Sequence, residues 1–218
     1  MAQTATPLRI AHRGMPRLAR ENTLASFRLA LEAGAEGIEL DVHTTADGVI
    51  VVHHDPALAG GLAIRDLTYA AFHQTAPDAP TLREVCDVVG SRAELFVELK
   101  GAGIEHVVAN ELTGYDGVSA IHSFDHVAIR RLHASGVALR LGVLFDGGED
   151  GLNVMDQCGA RDLWPHFSLV TRDLVTGVHA RGGRVIPWTV NDAADAARLG
   201  DLGVDGLCTD DVRMLKRS

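Results

Sequence analysis

Lysine is nearly absent from this 218-residue chain: 18 of its 20 cationic side chains are arginine, and only Lys100 and Lys216 remain. The formal net charge is -9, which argues against any partner whose affinity comes from neutralising many phosphates, so no nucleic-acid binding is expected. A single phosphate is not excluded, because a few local cations or one metal ion can hold it whatever the global sign. Cysteine is also scarce. Cys86, Cys158 and Cys208 are odd in number, far apart and in no CxxC pair, which argues against a disulfide framework and a thiolate zinc site. No apolar run approaches the roughly 18 residues of a membrane span, so no stable membrane insertion is expected. Residues 1–7 lack a basic stretch followed by an apolar one, so the opening reads as no secretory signal and the expected location is cytoplasmic. Neither a GxGxxG after the first strand nor a P-loop is present, which leaves the dinucleotide and nucleotide folds without their fingerprints.

What the chain does have is rhythm. Hydrophobic residues make up 46% of it, arranged as short β-rich runs alternating with amphipathic stretches of helical period. Strands are predicted at 8–11, 37–42, 95–99, 118–121, 139–145, 168–170, 185–189 and 206–208. The first helix is placed at 23–33 behind an Asn22 or Thr23 cap, and helix stops are placed at Gly34, Gly90, Gly136, Gly182 and Gly200. Repeated βα units build a parallel sheet. Eight of them in a length of roughly 200 to 250 residues predict one α/β domain over 1–218, a closed (β/α)8 barrel of the TIM type. The rhythm breaks once, after the second strand. Asp47-Gly48 separates two strand-like runs and reads as a hairpin turn; residues 56–80, with a weak helix at 69–74, then form a short inserted cap.

Charged residues on these strands carry the chemistry. Glu39 and Asp41 are two apart on the second strand and Glu98 and Lys100 two apart on the third, so each pair shares a face. At the C-terminal end of a barrel, where active sites lie, Glu39, Asp41 and Glu98 would converge. Three converging carboxylates require a cation, and oxygen ligands alone suit hard Mg2+ or Ca2+. The rival account makes each acid a surface residue paired with arginine. Of the eleven histidines, His106, His126, His133 and His179 fall in helical stretches, whereas His12 ends the first strand and His53 and His54 end the hairpin. Imidazoles there could divide acid and base roles, because they titrate near operating pH. Arg13 offers a planar fork for phosphate, Lys100 a compact charge.

The ordered blocks His12-Arg13-Gly14, Glu21-Asn22-Thr23, Glu39-Leu40-Asp41-Val42, Asp47-Gly48, His53-His54-Asp55, Val97-Glu98-Leu99-Lys100, Ser123-Phe124, Trp188-Thr189-Val190-Asn191 and Asp205-Gly206-Leu207 with Thr209-Asp210 run through nearly the whole chain. Together they resemble the glycerophosphodiester phosphodiesterase family. The resemblance implies a barrel with Glu39, Asp41 and Glu98 on a divalent metal, His12 and His54 as the general acid-base pair, and Arg13 and Lys100 on the substrate phosphate. It selects His54 over His53 because the matching His precedes Asp55. His43 shares a face with Glu39 and Asp41 and reads as a polar residue near the mouth, with a metal-ligand or supporting role open. Phe124 and Trp188 would wall the pocket or pack its rim. Two departures are visible: Arg20 stands where a proline is usual, and Thr209-Asp210-Asp211-Val212 lacks the usual closing proline.

The implied activity is metal-dependent hydrolysis of a small glycerophosphodiester to sn-glycerol 3-phosphate and an alcohol. Alternatives with other substrates or none are a lysophospholipase D or phosphoinositide-type phosphodiesterase, a phosphate-binding barrel without activity, and a barrel isomerase or lyase. An exposed apolar patch around 57–72 would favour the lipid enzymes. The last alternative usually places phosphate on glycine-rich loops after strands seven and eight, and the loop after the predicted seventh strand is Asn191-Asp192-Ala193.

Overall fold

A computed structural model describes residues 6–215. It begins with β1 (Leu8–His12) and α1 (Leu24–Glu32), which is capped by the Thr23 hydroxyl accepting the Ser26 N–H. β2 (Gly37–Thr44) turns back antiparallel into β3 (Ile50–Val52), with His43 opposite Val51. The stretch 56–80 contains a small ribbon, β4 (Ala57–Leu58) with β5 (Leu62–Ala63), and α2 (Tyr69–Thr75). Its apolar side chains close on themselves: Leu58, Ile64, Phe72, Ala76 and Ala79 are buried around Val51. Next come α3 (Leu82–Val89), which opens with a reciprocal Thr81–Glu84 capping box, and β6 (Glu94–Leu99). Regular βα units follow: α4 (Glu105–Thr113), β7 (Ser119–Ser123), α5 (His126–Ala134), β8 (Arg140–Phe145), α6 (Gly151–Cys158), β9 (Asp162–Pro165), α7 (Arg172–His179), β10 (Arg184–Val185), α8 (Ala193–Leu202) and β11 (Gly206–Thr209). No helix among the described residues is long and apolar enough to cross a membrane.

Eight strands are parallel neighbours in the order β10-β9-β8-β7-β6-β2-β1-β11. The two ends meet through single hydrogen bonds rather than a ladder: Asp205 N–H donates to the Val185 carbonyl at 2.9 Å, Cys208 N–H to Pro187 at 3.1 Å, and Val190 N–H to Cys208 at 2.8 Å. The predicted barrel is therefore present and nearly closed. Strand alternation divides its residues. Leu40, Val42, Leu95 and Val97 face the helices, while Phe96, Leu144, Trp164, Ile186 and Cys208 form a separate inner core. Phe96 meets Trp164 edge to face at 5.1 Å, plugging the barrel.

Two predicted boundaries are corrected. The sixth barrel strand is β9, whereas 168–170 overlaps a short 3-10 turn at Phe167–Leu169. β9 opens on a charged residue and closes on Pro165, which hides its period; the charge is tolerated because arginines on neighbouring strands neutralise it. Gly200 lies inside α8, and the helix stops at Gly203, whose φ of 85° supplies the left-handed residue.

The floor of the barrel is an ion-pair network. Asp162, 0% exposed, accepts hydrogen bonds from Arg140 and Arg184, and Arg184 also grips Glu94 at 2.8 and 2.9 Å while lying over the Phe96 ring. Removing one partner of a buried pair leaves uncompensated charge. Asp162→Ala is therefore expected to destabilise the protein by roughly 3–5 kcal/mol in denaturant melts, and a change far below that would mean solvent replaces the lost carboxylate.

Candidate active site

The C-terminal ends of the parallel strands open into a cavity of about 170 Å³. Register explains which groups meet there: His12 is opposite Glu39, Asp41 opposite Glu98, and Glu98 opposite His122 on adjacent strands. Glu39, Glu98, Lys100, His12, Arg13 and His54 all line the cavity, with Phe124 and Trp188 on its aromatic side. Asp41 lies behind this lining, fully buried.

The carboxylates repel one another. Burial, reinforced by Asp41 and Glu98, pushes the Glu39 carboxyl well above the usual range. Burial and the neighbouring Asp41 push Glu98 up to about 7 despite Lys100. Asp41 goes the other way: burial opposes its ionisation, but Arg13, Lys100 and a hydrogen bond from Asn22 outweigh this and hold it below the ordinary value. The cations are placed for that balance. Arg13 Nε is 3.1 Å from Asp41 Oδ2, and Lys100 Nζ is 2.8 Å from Glu98 and 3.5 Å from Asp41. Asp41 Oδ1 nevertheless has no hydrogen-bond partner. Buried carboxylates with an unsatisfied oxygen are a donor set that fits a divalent cation.

The loop after β1 is shaped to support this cluster. Arg13 and Asn22 adopt left-handed φ of 55° and 56°, uncommon away from glycine. A Cβ on the intervening Gly14 would collide with Ser26 on α1. As a result Arg13 N–H donates to Glu39 at 3.1 Å, Arg13 Nη1 reaches Glu21, and the Asn22 amide donates to Asp41 at 2.8 Å. Asn22 is thus an orienter of Asp41, and Thr23 is the helix cap.

Two of the cavity imidazoles, His12 and His54, have Nδ1 against a carboxylate. His12 Nδ1 is 2.7 Å from Asp210, whose second oxygen accepts the Asn191 amide at 2.6 Å. Burial raises the Asp210 carboxyl, but the His12 and Asn191 hydrogen bonds outweigh it and keep it ionised. His54 Nδ1 is 2.8 Å from Asp55. A carboxylate only accepts, so Nδ1 carries the proton in both rings and Nε2 is free. His53 is outside the cavity, edge-on to Phe72 and bonded to the Asp55 carbonyl. His43 is buried, its pKa lowered mainly by burial, and it bonds the His54 carbonyl at 3.2 Å. Phe124 and Trp188 meet edge to face at 5.4 Å, with the indole N–H bound to Trp164 O.

The chain and its barrel have counterparts among known proteins. Residues 12–214 match the model of the glycerophosphoryl diester phosphodiesterase family. The chain belongs to that family. Among relatives of this phosphodiesterase, the glycerophosphodiester phosphodiesterase of Caldanaerobacter subterraneus subsp. tengcongensis is 32% identical over 94% of this chain and 95% of its own. That of Bacillus altitudinis is 31% identical over 92% and 93%. Solved structures agree in fold. The Thermotoga maritima enzyme superposes with a TM-score of 0.85 at 26% identity, covering 97% of this chain and 98% of that one. An Oleispira antarctica phosphodiesterase in complex with the product sn-glycerol-3-phosphate gives 0.84 at 27% identity, covering 94% and 93%.

One residue of the phosphodiesterase's cavity has no counterpart in the sequence reading. His122 is 1% exposed, stacked flat on Trp164 at 4.2 Å, with Nε2 3.8 Å from Glu39. Burial lowers its pKa to about 3, so the ring is neutral. It follows the predicted fourth strand, 118–121, and the alternation reaches it only because β7 runs on to Ser123.

Proposed function

We propose that this phosphodiesterase hydrolyses water-soluble glycerophosphodiesters to sn-glycerol 3-phosphate and an alcohol, with His12 and His54 as the acid-base pair. The observation that carries this reading is the convergence of two Nδ1-anchored imidazoles and two cations on one buried carboxylate cluster. Glu39, Asp41 and Glu98 would hold a divalent cation, Mg2+ or Ca2+, whose charge neutralises nonbridging phosphate oxygens when bound. Arg13 and Lys100, which lie beside the same carboxylates, would hold the phosphate. A phosphodiester monoanion needs charge neutralisation and a proton for its leaving oxygen. One imidazole Nε2 accepts the proton of the attacking hydroxyl, from water or from the adjacent glycerol hydroxyl, as the new P–O bond forms. The other, entering the step protonated on both nitrogens, donates its Nε2 proton to the departing alkoxide as the old bond breaks. If the glycerol hydroxyl attacks, water then opens the resulting cyclic phosphate.

The substrate choice rests on the stretch 56–80. Leu58, Ile64 and Phe72 point inward, and among the described residues of 57–72 Leu62 alone is a large apolar side chain left exposed. An acyl chain would find no apolar platform there. The test is glycerol 3-phosphate release from glycerophosphocholine and glycerophosphoethanolamine, with choline release from lysophosphatidylcholine followed in parallel and metal added or chelated. Release from the soluble diesters alone, stopped by chelator, is expected; turnover of the lysolipid in their place would move the assignment to the lipid enzymes.

Asp210 should matter through His12. Asp210→Asn keeps the shape but removes the charge and turns one of two accepting oxygens into an NH2 donor, so the Nδ1–H tautomer of His12 is no longer fixed. The expected result is a kcat loss of about 10²-fold, the lower part of what an acid-base group contributes, with KM little changed. A selective rise in KM would instead place Asp210 in substrate binding.

A further inference from the structure

We infer that His122 is a direct nitrogen ligand of the cation held by Glu39 and Glu98, so that the site is a mixed oxygen and nitrogen centre. The inference rests on the reading of the carboxylate cluster as a divalent-cation site. Its own observations are separate from that reading. Donor atoms of Glu39, Glu98 and His122 lie within 4.8 Å of one another, all three residues buried. His122 Nε2 is 3.8 Å from Glu39 Oε1, too long for a hydrogen bond. It falls within the separation of two ligands on one small ion, roughly 3 to 4 Å when each bond is about 2.1 Å. The other ring nitrogen, Nδ1, is buried with no partner.

Packing alone does not account for a histidine at this position. The inner core around it is Phe96, Ala120, Leu144 and Trp164, where an apolar side chain would fill the space without leaving polar atoms unbonded. Stacking on Trp164, with the two planes only 5° apart, locks the imidazole plane, and β7 places the ring beside Glu98 through the register of Glu98 with His122. A side chain held in this way is pre-oriented as a ligand. Lys100 Nζ, 2.8 Å from Glu98 and 3.5 Å from Asp41, shares the same electrostatic well.

The chemical consequence is ion preference. Carboxylates suit Mg2+, Ca2+ and Mn2+, whereas imidazole favours transition ions. The mixed set should therefore bind Mn2+ more tightly than Ca2+, and His122 should supply the difference. The experiment uses the full chain and Mn2+ itself, read by calorimetry and by pulsed electron paramagnetic resonance of the bound ion. The wild type is expected to show a nitrogen hyperfine coupling. His122→Phe, which keeps the stack on Trp164, is expected to lose that coupling and bind Mn2+ at least about tenfold more weakly, the lower end of what losing even an outer-shell partner does, with Ca2+ binding little changed. Bound Mn2+ without nitrogen coupling in the wild type overturns the inference whatever the variant does, and leaves the carboxylate site standing. Failure of the wild type to bind Mn2+, or unchanged binding in Glu98→Gln, overturns the cation site and this inference with it.

Discussion

Glycerophosphocholine hydrolysis by His54→Ala is expected to fall by roughly 10²- to 10⁴-fold, the usual contribution of a positioned acid or base, while the thermal midpoint stays near that of the wild type. The fold should tolerate the change because the His54 side chain is 36% exposed and its ring bonds only the still more exposed Asp55. Its backbone carbonyl, which His43 holds, survives the substitution. The informative companion is His53→Ala. His53 is the adjacent residue, with the same chemistry, but its ring sits against Phe72 outside the cavity, so kcat should hardly move. Equal losses in the two variants would mean that the hairpin end is acting as a structural unit, and near-normal activity in His54→Ala would remove it from the acid-base pair.

The contrast between His53 and His54 also shows how far the sequence reaches. Glu39, Asp41 and Glu98 stand out because a charge at every second position of an otherwise apolar strand has only one face to occupy, and the barrel dictates which end that face serves. Those signals are local. Asp210 is different: its partner His12 lies 198 positions away, and only ring closure brings β11 beside β1. Asn22 reads as a helix cap because Asn and Thr both cap helices, whereas its amide is committed to Asp41. His122 escapes through a two-residue error in a strand end, since the inward phase that marks Glu98 continues to it. β9 escapes because its buried Asp162 is acceptable only with Arg140 and Arg184 on flanking strands. Periodicity finds elements and faces; pairings made by barrel closure have no trace in any window of sequence.

Glu98→Gln is expected to abolish chelator-sensitive hydrolysis, with a loss of at least about 10³-fold if several kcal/mol of transition-state charge stabilisation go with the cation. The same substitution should make the metal-free protein lose less stability as pH rises from about 4.5 to about 7, and the sign follows from the carboxyl itself. Glu98 has a folded pKa of about 7 against 4.5 for the free side chain. Between those values the native state binds more protons than the unfolded state, so this residue's contribution to stability declines as pH rises from about 4.5 to about 7 and then levels off. Burial and the Asp41 charge cause that decline; Gln, being uncharged, removes it. Denaturant melts of the metal-free wild type across this range should therefore lose stability more steeply than those of Glu98→Gln, and added divalent cation should flatten the wild-type slope while leaving the variant unchanged. Parallel slopes would mean that Lys100 alone compensates Glu98, and the carboxylate would then have no need of a cation. Steeper loss in the wild type, relieved by metal, identifies the strain among the three acids as the source of both the instability and the binding.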